Sequence, residues 1–179
     1  MIKRCEALKK AIAEAWSKGN DAAYLDSIPG ITPFLAGCIL SELLPLERFQ
    51  RIEQIVAFSG LDPSVKQTGG KKGHHGAISK RGSPTLREAL FLAAMGSFQH
   101  EPMHTLYLRY KNRGLHHNAI LCILARKILR IAVTLLKKRR MFDPKKLVLW
   151  LQRKGHWGPA MALSRALRPK TGEPESPLE

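Results

Sequence analysis

The sequence predicts an all-α protein, a helical domain that contains a helix-hairpin-helix and a long glycine- and lysine-rich loop. Three observations carry that expectation. Apolar residues recur at helical spacing through most of the chain, and no segment alternates with the period of two that marks a half-buried strand. Thr32-Pro33 and Ser83-Pro84 stand where two of the helical patterns begin, as an N-cap followed by a proline whose missing N–H costs nothing there. Between two apolar patterns lies Gly60–Pro84, GLDPSVKQTGGKKGHHGAISKRGSP, which holds six of the fourteen glycines.

Taken in order, Ile2, Cys5, Leu8, Ile12, Ala15 and Trp16 give an amphipathic helix over about 2–17, ended by Gly19-Asn20. Asp26 to Pro33 is dense turn chemistry, and a helix follows from Phe34 to Leu44 until Pro45 stops it. Leu46 to Phe58 reads as one further helix closed by Gly60. Beyond the loop, Ser83-Pro84 opens a helix to about His100, and a short helix from Met103 to Lys111 ends at Gly114. His116 or Asn118 starts the longest apolar pattern, which runs to about Leu136 and meets Lys137-Lys138-Arg139-Arg140, cations suited to a helix C-terminus. Phe142-Asp143-Pro144 is a stop, Lys145 to Gln152 a last short helix, and Gly155 onward a loose tail rich in Pro, Gly and charge. The expected organisation is an N-terminal helix end over 1–20, a domain over 25–144 with the hairpin at 25–44, and a basic short helix and tail over 145–179.

Charge narrows the partner. The net charge is +16, yet residues 1–58 are neutral, with seven basic and seven acidic side chains. Residues 59–84 carry +4, residues 85–136 carry +5 and residues 137–170 carry +10. A neutral front with a basic body points to a polyanion, most often nucleic acid. A basic ribosome- or RNA-associated structural protein shares that composition. Cys5, Cys38 and Cys122 are widely spaced within apolar patterns, which excludes a disulfide framework or zinc knuckle and suggests buried free thiols in a reducing cytoplasm. Met1 to Lys10 lacks the apolar run of a signal peptide, and Arg126, Lys127 and Arg130 interrupt the run from Ala119 to Leu136, so no membrane partner is expected.

Two segments carry binding chemistry. Pro29-Gly30-Ile31-Thr32 matches the hydrophobe-Pro-Gly-hydrophobe turn of a helix-hairpin-helix, where backbone N–H groups at a helix N-terminus hold one phosphate without reading sequence. Ala36 and Gly37 would let the two helices approach closely. An ordinary αα-corner is the plain alternative. In the loop, Lys66, Lys71, Lys72, Lys80 and Arg81 supply cations, Gly69 and Gly70 let the backbone approach an anion, and Ser64, Thr68, Ser79 and Ser83 supply hydroxyls. A solvated linker is the alternative there. GGKKG lacks the spacing of a Walker A loop. His74-His75 and His116-His117 have no carboxylate or cysteine at ligand spacing, so phosphate contact or exposure is expected and no metal site. Glu42, Glu47, Glu53, Asp62, Glu88 and Glu101 form no cluster of the kind a metal nuclease needs. Arg126 and Arg130, four apart, share a helix face with a use on a duplex backbone.

Ser27-Ile28-Pro29-Gly30-Ile31, Ala57 to Ser64, Gly69-Gly70-Lys71, Ile78 to Gly82, Leu86 to Leu90 and Phe142-Asp143-Pro144 occur in an order that resembles the C-terminal domain of transposases of the insertion sequence 110/116/902 family. The resemblance covers about residues 25–144. It implies DNA transposition and recombination, with a serine nucleophile in the loop and a preceding RuvC-like domain bearing four metal-binding acids. That domain is missing from this sequence, so no cofactor is expected in this chain, and Mg2+ would need the missing acids. The serine position falls on Thr68, before Gly69. A threonine hydroxyl is a nucleophile, but its β-methyl crowds the approach. The resemblance thus supports DNA binding more than catalysis by this chain alone. It implies DNA as partner, with a structured guide RNA used by some members and homo-oligomers at full length, and the missing half would call for a separate RuvC-like chain. Besides Thr68, the residues expected to contact DNA are Pro29, Gly30, Ile31, Thr32, Lys66, Gly69, Gly70, Lys71, Lys72, Ser79, Lys80 and Arg81. A non-catalytic, sequence-tolerant nucleic-acid-binding module is the alternative.

Overall fold

A computed structural model describes residues 20–66 and 74–153, together with Glu6, Ala11 and Glu14, which are helical and exposed. The rest of the helix expected over 2–17, and the tail beyond 153, lie outside the described residues. The chain divides into two compact units, Met1–Phe142 and Asp143–Glu179.

The first unit is mainly helical. Its helices are α1 (Asn20–Asp26), α2 (Pro33–Leu43), α3 (Ile52–Ser59), α4 (Pro84–Ser97), α5 (Met103–Asn112) and α6 (His117–Lys138). The caps read from sequence are in place. Thr32 accepts a hydrogen bond from Leu35 N and Ser83 from Leu86 N, each ahead of a proline in the first turn. Gly60 ends α3 in the left-handed region at φ +66°, a conformation that stops a helix without a Cβ penalty. The core forms where α6 packs on α4 and α5, α4 on α2, and α1 on α2 and α6. Leu25, Ile39, Leu40, Leu90, Leu106, Ile120 and Leu121 are fully buried there. Ala36 and Gly37 are buried as well, so α2 presents small residues where helices meet closely.

The hairpin between α1 and α2 is short and tightly bonded. Ser27 Oγ donates to Tyr24 O, Ile28 N to Leu25 O and Ile31 N to Ile28 O. Ile28 and Ile31 are buried and anchor the turn. Its tip, Gly30, has φ +89° and lies against the end of α4, where a Cβ would sit 2.3 Å from Ser97 N and 2.4 Å from Gly96 C. The fully buried Ser97 donates its hydroxyl to Pro29 O. The hairpin is therefore fastened to α4 by backbone-to-backbone contact.

Three elements differ from expectation. The stretch read as one helix over 46–58 is split into a 3-10 turn, Leu46–Arg48, and α3. The Gln54 side chain accepts from Gln50 N and Arg51 N and so starts α3 at Ile52. Arg48 lies over the rings of Phe49 and Phe58, at 4.5 and 4.8 Å, holding the chain between the two pieces. The long loop is not wholly irregular. It carries a two-stranded antiparallel ribbon, β1 (Pro63–Lys66) and β2 (His74–Ile78), with Pro63 opposite Ile78 and Lys66 opposite His74. Strands this short escape a period-two search, and a register irregularity between Pro63 and Val65 blurs the pattern further. Finally, Cys38 and Cys122 are free but half-buried, not enclosed.

The second unit contributes α7 (Pro144–Arg153), near the helix expected over Lys145 to Gln152. Asp143 starts it by accepting from Lys145 N at 2.9 Å and pairing with Lys146 at 3.6 Å. Among the described residues no helix is long and apolar enough to cross a membrane.

Candidate nucleic-acid interface

The base of the loop is where the structure gathers charge, and a network of hydrogen bonds fixes it. Ser79 N donates to Asp62 O at 2.8 Å, and Ser79 Oγ donates to Asp62 Oδ1 at 2.5 Å. Ser79 Oγ also accepts from Arg81 N at 3.3 Å. Lys80 N donates to Gly60 O and Ser83 N to Phe58 O, so the outgoing and returning strands are bonded across the neck. Gly82 (φ +119°) passes so near α3 that a Cβ there would be 2.2 Å from Phe58 O. Only a residue without that atom closes the neck.

Lys80 itself sits in the left-handed region at φ +55°, which costs a residue with a Cβ about 1–2 kcal/mol. Both of its backbone groups are held, the N–H by Gly60 and the carbonyl by Arg87 Nη1 at 3.2 Å. The strain is borne to turn an exposed Lys80 and an exposed Arg81 outward from a rigid neck. Ser79, expected to touch DNA, spends its hydroxyl proton on Asp62 and accepts from Arg81 N inside the neck.

The neck lies beside α6. Burial pushes the Cys122 thiol up, and Arg126 and Lys80 pull it the other way, so both cations are within electrostatic reach of one sulfur. Further along, burial lowers Lys127, and Arg126, Arg130 and Arg109 lower it more. Arg126 and Arg130, paired by spacing in the sequence, are thus part of a larger cationic group that α5 joins through Arg109. Glu53 of α3 faces Arg130 at 3.8 Å, with both side chains half or more exposed. Such a pair is worth about 0.2–1 kcal/mol, too little to withhold Arg130 from a phosphate.

At the hairpin, Pro29 and Gly30 are half-buried, Ile31 is buried and Thr32 is exposed. The turn gives part of its surface to α4, and the exposed part is the N-terminus of α2. The histidine pair of α6 has structural partners: His116 Nδ1 accepts from Asn118 N at the cap, and His117 Nδ1 meets Tyr107 OH at 2.9 Å beside Phe98. Among the described residues no three His, Cys, Asp or Glu side chains gather to hold a metal. Glu53, Asp62 and Glu101 face Arg130, Ser79 and Thr105, respectively.

The model of the Transposase IS116/IS110/IS902 family matches residues 22–109, from the hairpin through the loop to α5. That stretch of the chain is similar to the family. A protein named "Putative transposase y4rJ" from Sinorhizobium fredii is 36% identical over 92 residues, covering 51% of this chain and 23% of the relative. The transposase for insertion sequence element IS1111A of Coxiella burnetii is 34% identical over 91 residues, covering 51% of this chain and 24% of the relative. The transposase for insertion sequence element IS1328 of Yersinia enterocolitica is 29% identical over 136 residues, covering 74% of this chain and 40% of the relative. The chain spans about a quarter to two fifths of the length of these curated relatives.

Within the matched segment, Thr68, Gly69, Gly70, Lys71 and Lys72 lie outside the described residues, and Lys66 is described as backbone at the end of β1. What the sequence did not single out is Asp62 as the partner of Ser79. The two are 17 residues apart, beyond the reach of any helical or strand spacing, although both lie in runs that match the family.

Proposed function

We propose that this chain serves an insertion-sequence transposase as its DNA-engaging C-terminal part, gripping the sugar–phosphate backbone at the loop neck. The observation that carries the reading is the hydrogen-bonded neck that carries exposed Lys80 and Arg81, with Lys80 and Arg126 of α6 both in electrostatic reach of Cys122, within a family match to transposases. Fixed cations lose little freedom on meeting phosphate, so their Coulomb gain is kept as affinity. The Thr32 end of the hairpin offers a further phosphate a helix N-terminus. In strand exchange, the Thr68 hydroxyl would attack phosphorus; a new ester bond forms, a deoxyribose oxygen departs with the proton, and the neck cations offset charge building on the phosphoryl oxygens. Acids that bind Mg2+ would come from a separate RuvC-like chain or domain, and a structured guide RNA would share the same cationic surface.

Fluorescence anisotropy with a random-sequence duplex tests the binding. Affinity should fall steeply with salt, and Lys80→Glu with Arg81→Glu should weaken it and flatten the salt slope by about 0.9 for each phosphate no longer neutralised. An unchanged slope refutes the neck as the gripping surface. For the chemistry, a covalent protein–DNA adduct should form with the acidic chain present and vanish in Thr68→Val. The threonine at position 68, whose β-methyl crowds an attack on phosphorus, favours a second reading, a non-catalytic binding module. Binding without any adduct, under the same conditions, selects it.

A further inference from the structure

The end of α6 carries four consecutive cations, Lys137-Lys138-Arg139-Arg140, all exposed and without an ion pair to any described residue. A helix C-terminus accounts for only about half a unit of positive charge in compensation. Four cations exceed that several-fold. The position of the cluster is also fixed: Arg139 turns the chain at φ +46°, Arg140 N donates to Leu135 O, and Phe142 N donates to Ser27 Oγ at 2.8 Å. The cluster is thereby tied to the hairpin turn. Towards the other end of the helix, Lys80 of the neck acts electrostatically on Cys122, and α3, whose end the neck is bonded to, packs on α6.

Helical geometry connects the two ends. At 3.6 residues per turn, Cys122, Arg126, Arg130 and Lys137 fall within about 80° of one another around α6. From Cys122 to Lys137 the axis advances about 22 Å, equal to about seven base pairs of duplex. The acids near this line are few: Glu53 faces Arg130 in the weak pair described above, and Asp26 precedes Ser27.

We propose that α6 carries a second backbone contact for duplex DNA, a stripe that starts at the loop neck and ends on Lys137, Lys138 and Arg140 beside the hairpin. The proposal rests on the DNA-binding reading above and adds to it a partner length and an orientation: one strand follows α6, and the hairpin meets that strand about seven base pairs from the neck.

The test compares the whole chain with Lys137→Gln/Lys138→Gln/Arg140→Gln, leaving Arg139 in its turn, on DNA stem-loops of about 5 and about 14 base pairs. Circular dichroism melts confirm that the variant folds. The unmodified chain should bind the long stem more tightly and with the steeper salt slope. The variant should lose that preference, its slope on the long stem shallower by up to about 2.7. A variant with an unchanged slope, or an unmodified chain that treats both stems alike, overturns the stripe while leaving the neck intact. A flat salt response of the unmodified chain overturns the DNA-binding reading and the stripe with it. Phosphatidylserine vesicles serve as the competing polyanion: the variant losing vesicle binding but no DNA binding assigns the cluster to a membrane surface instead and refutes the stripe.

Discussion

Replacing Gly30 with alanine isolates what fastens the hairpin to the body. The new Cβ would stand 2.3–2.7 Å from three backbone atoms of Gly96 and Ser97, and backbone cannot swing aside as a side chain does. Three costs combine. A residue with a Cβ at φ +89° pays about 1–2 kcal/mol. Forcing extra volume into a packed contact costs about 1–3 kcal/mol. Loss of the Ser97–Pro29 hydrogen bond adds about 0.5–1.5 kcal/mol. Together these approach 3–6 kcal/mol, roughly, against the 5–15 kcal/mol that stabilises a typical domain. Gly114 supplies the control, because it has φ +79° but nothing within 4 Å of a Cβ. Gly114→Ala should cost only the conformational part, about 1 kcal/mol. Thermal melts followed by circular dichroism should then show Gly30→Ala lowering Tm by about 6–24 °C and Gly114→Ala by about 2–4 °C. Equal shifts would refute the claim that the turn is held by contact with α4.

Three further outcomes follow from the neck and from α6. Asp62→Ala should strip the Ser79 hydroxyl of its acceptor and free the loop base, a loss of about 1.5–3 kcal/mol; hydrogen exchange at Ser79 and Lys80 should speed up, while Asp62→Asn, which still accepts, should keep much of the protection. Equal exchange in all three proteins would remove Asp62 from that role. The Cys122 thiol is raised by burial and relieved by Arg126 and Lys80, so its alkylation by iodoacetamide should climb only at alkaline pH, and Lys80→Glu should move that climb still higher; an unmoved profile would place Lys80 away from α6. Lys127 is lowered by burial and by three arginines, so the folded state disfavours its proton, and its contribution to stability rises as pH climbs from the folded value towards that of an unfolded lysine. Lys127→Met should raise Tm at pH 7 and flatten that rise, as denaturation across pH 7–10 would reveal.

What was legible in the sequence is local. Thr32-Pro33 and Ser83-Pro84 mark helix starts because an N-cap acts within three residues, and Gly60 marks a stop because the left-handed region is confined to one position. The break inside 46–58 was not legible: it depends on Arg48 stacking on two aromatic rings and on a Gln54 amide reaching back, both of which a helical pattern tolerates. His116 and His117 are exposed, in line with the expectation, but the cap and the aromatic neighbourhood that engage them were not legible. For the candidate site, the cations of the neck were visible as composition. Their fixing was not, since Ser79 with Asp62 and Gly30 with Gly96 are meetings across long stretches of chain. Thr68 and the cations around it stand as the sequence left them.

Helix α4 has a consequence for how force would travel through this protein. Ser83, the last residue of the loop, caps its first turn, and its final residues, Gly96 and Ser97, grip the hairpin. A rod about 21 Å long thus bolts one candidate grip to the other. Neither grip shifts without the other following, so on the proposed reading a target with unsuitable curvature would have to bend to meet them.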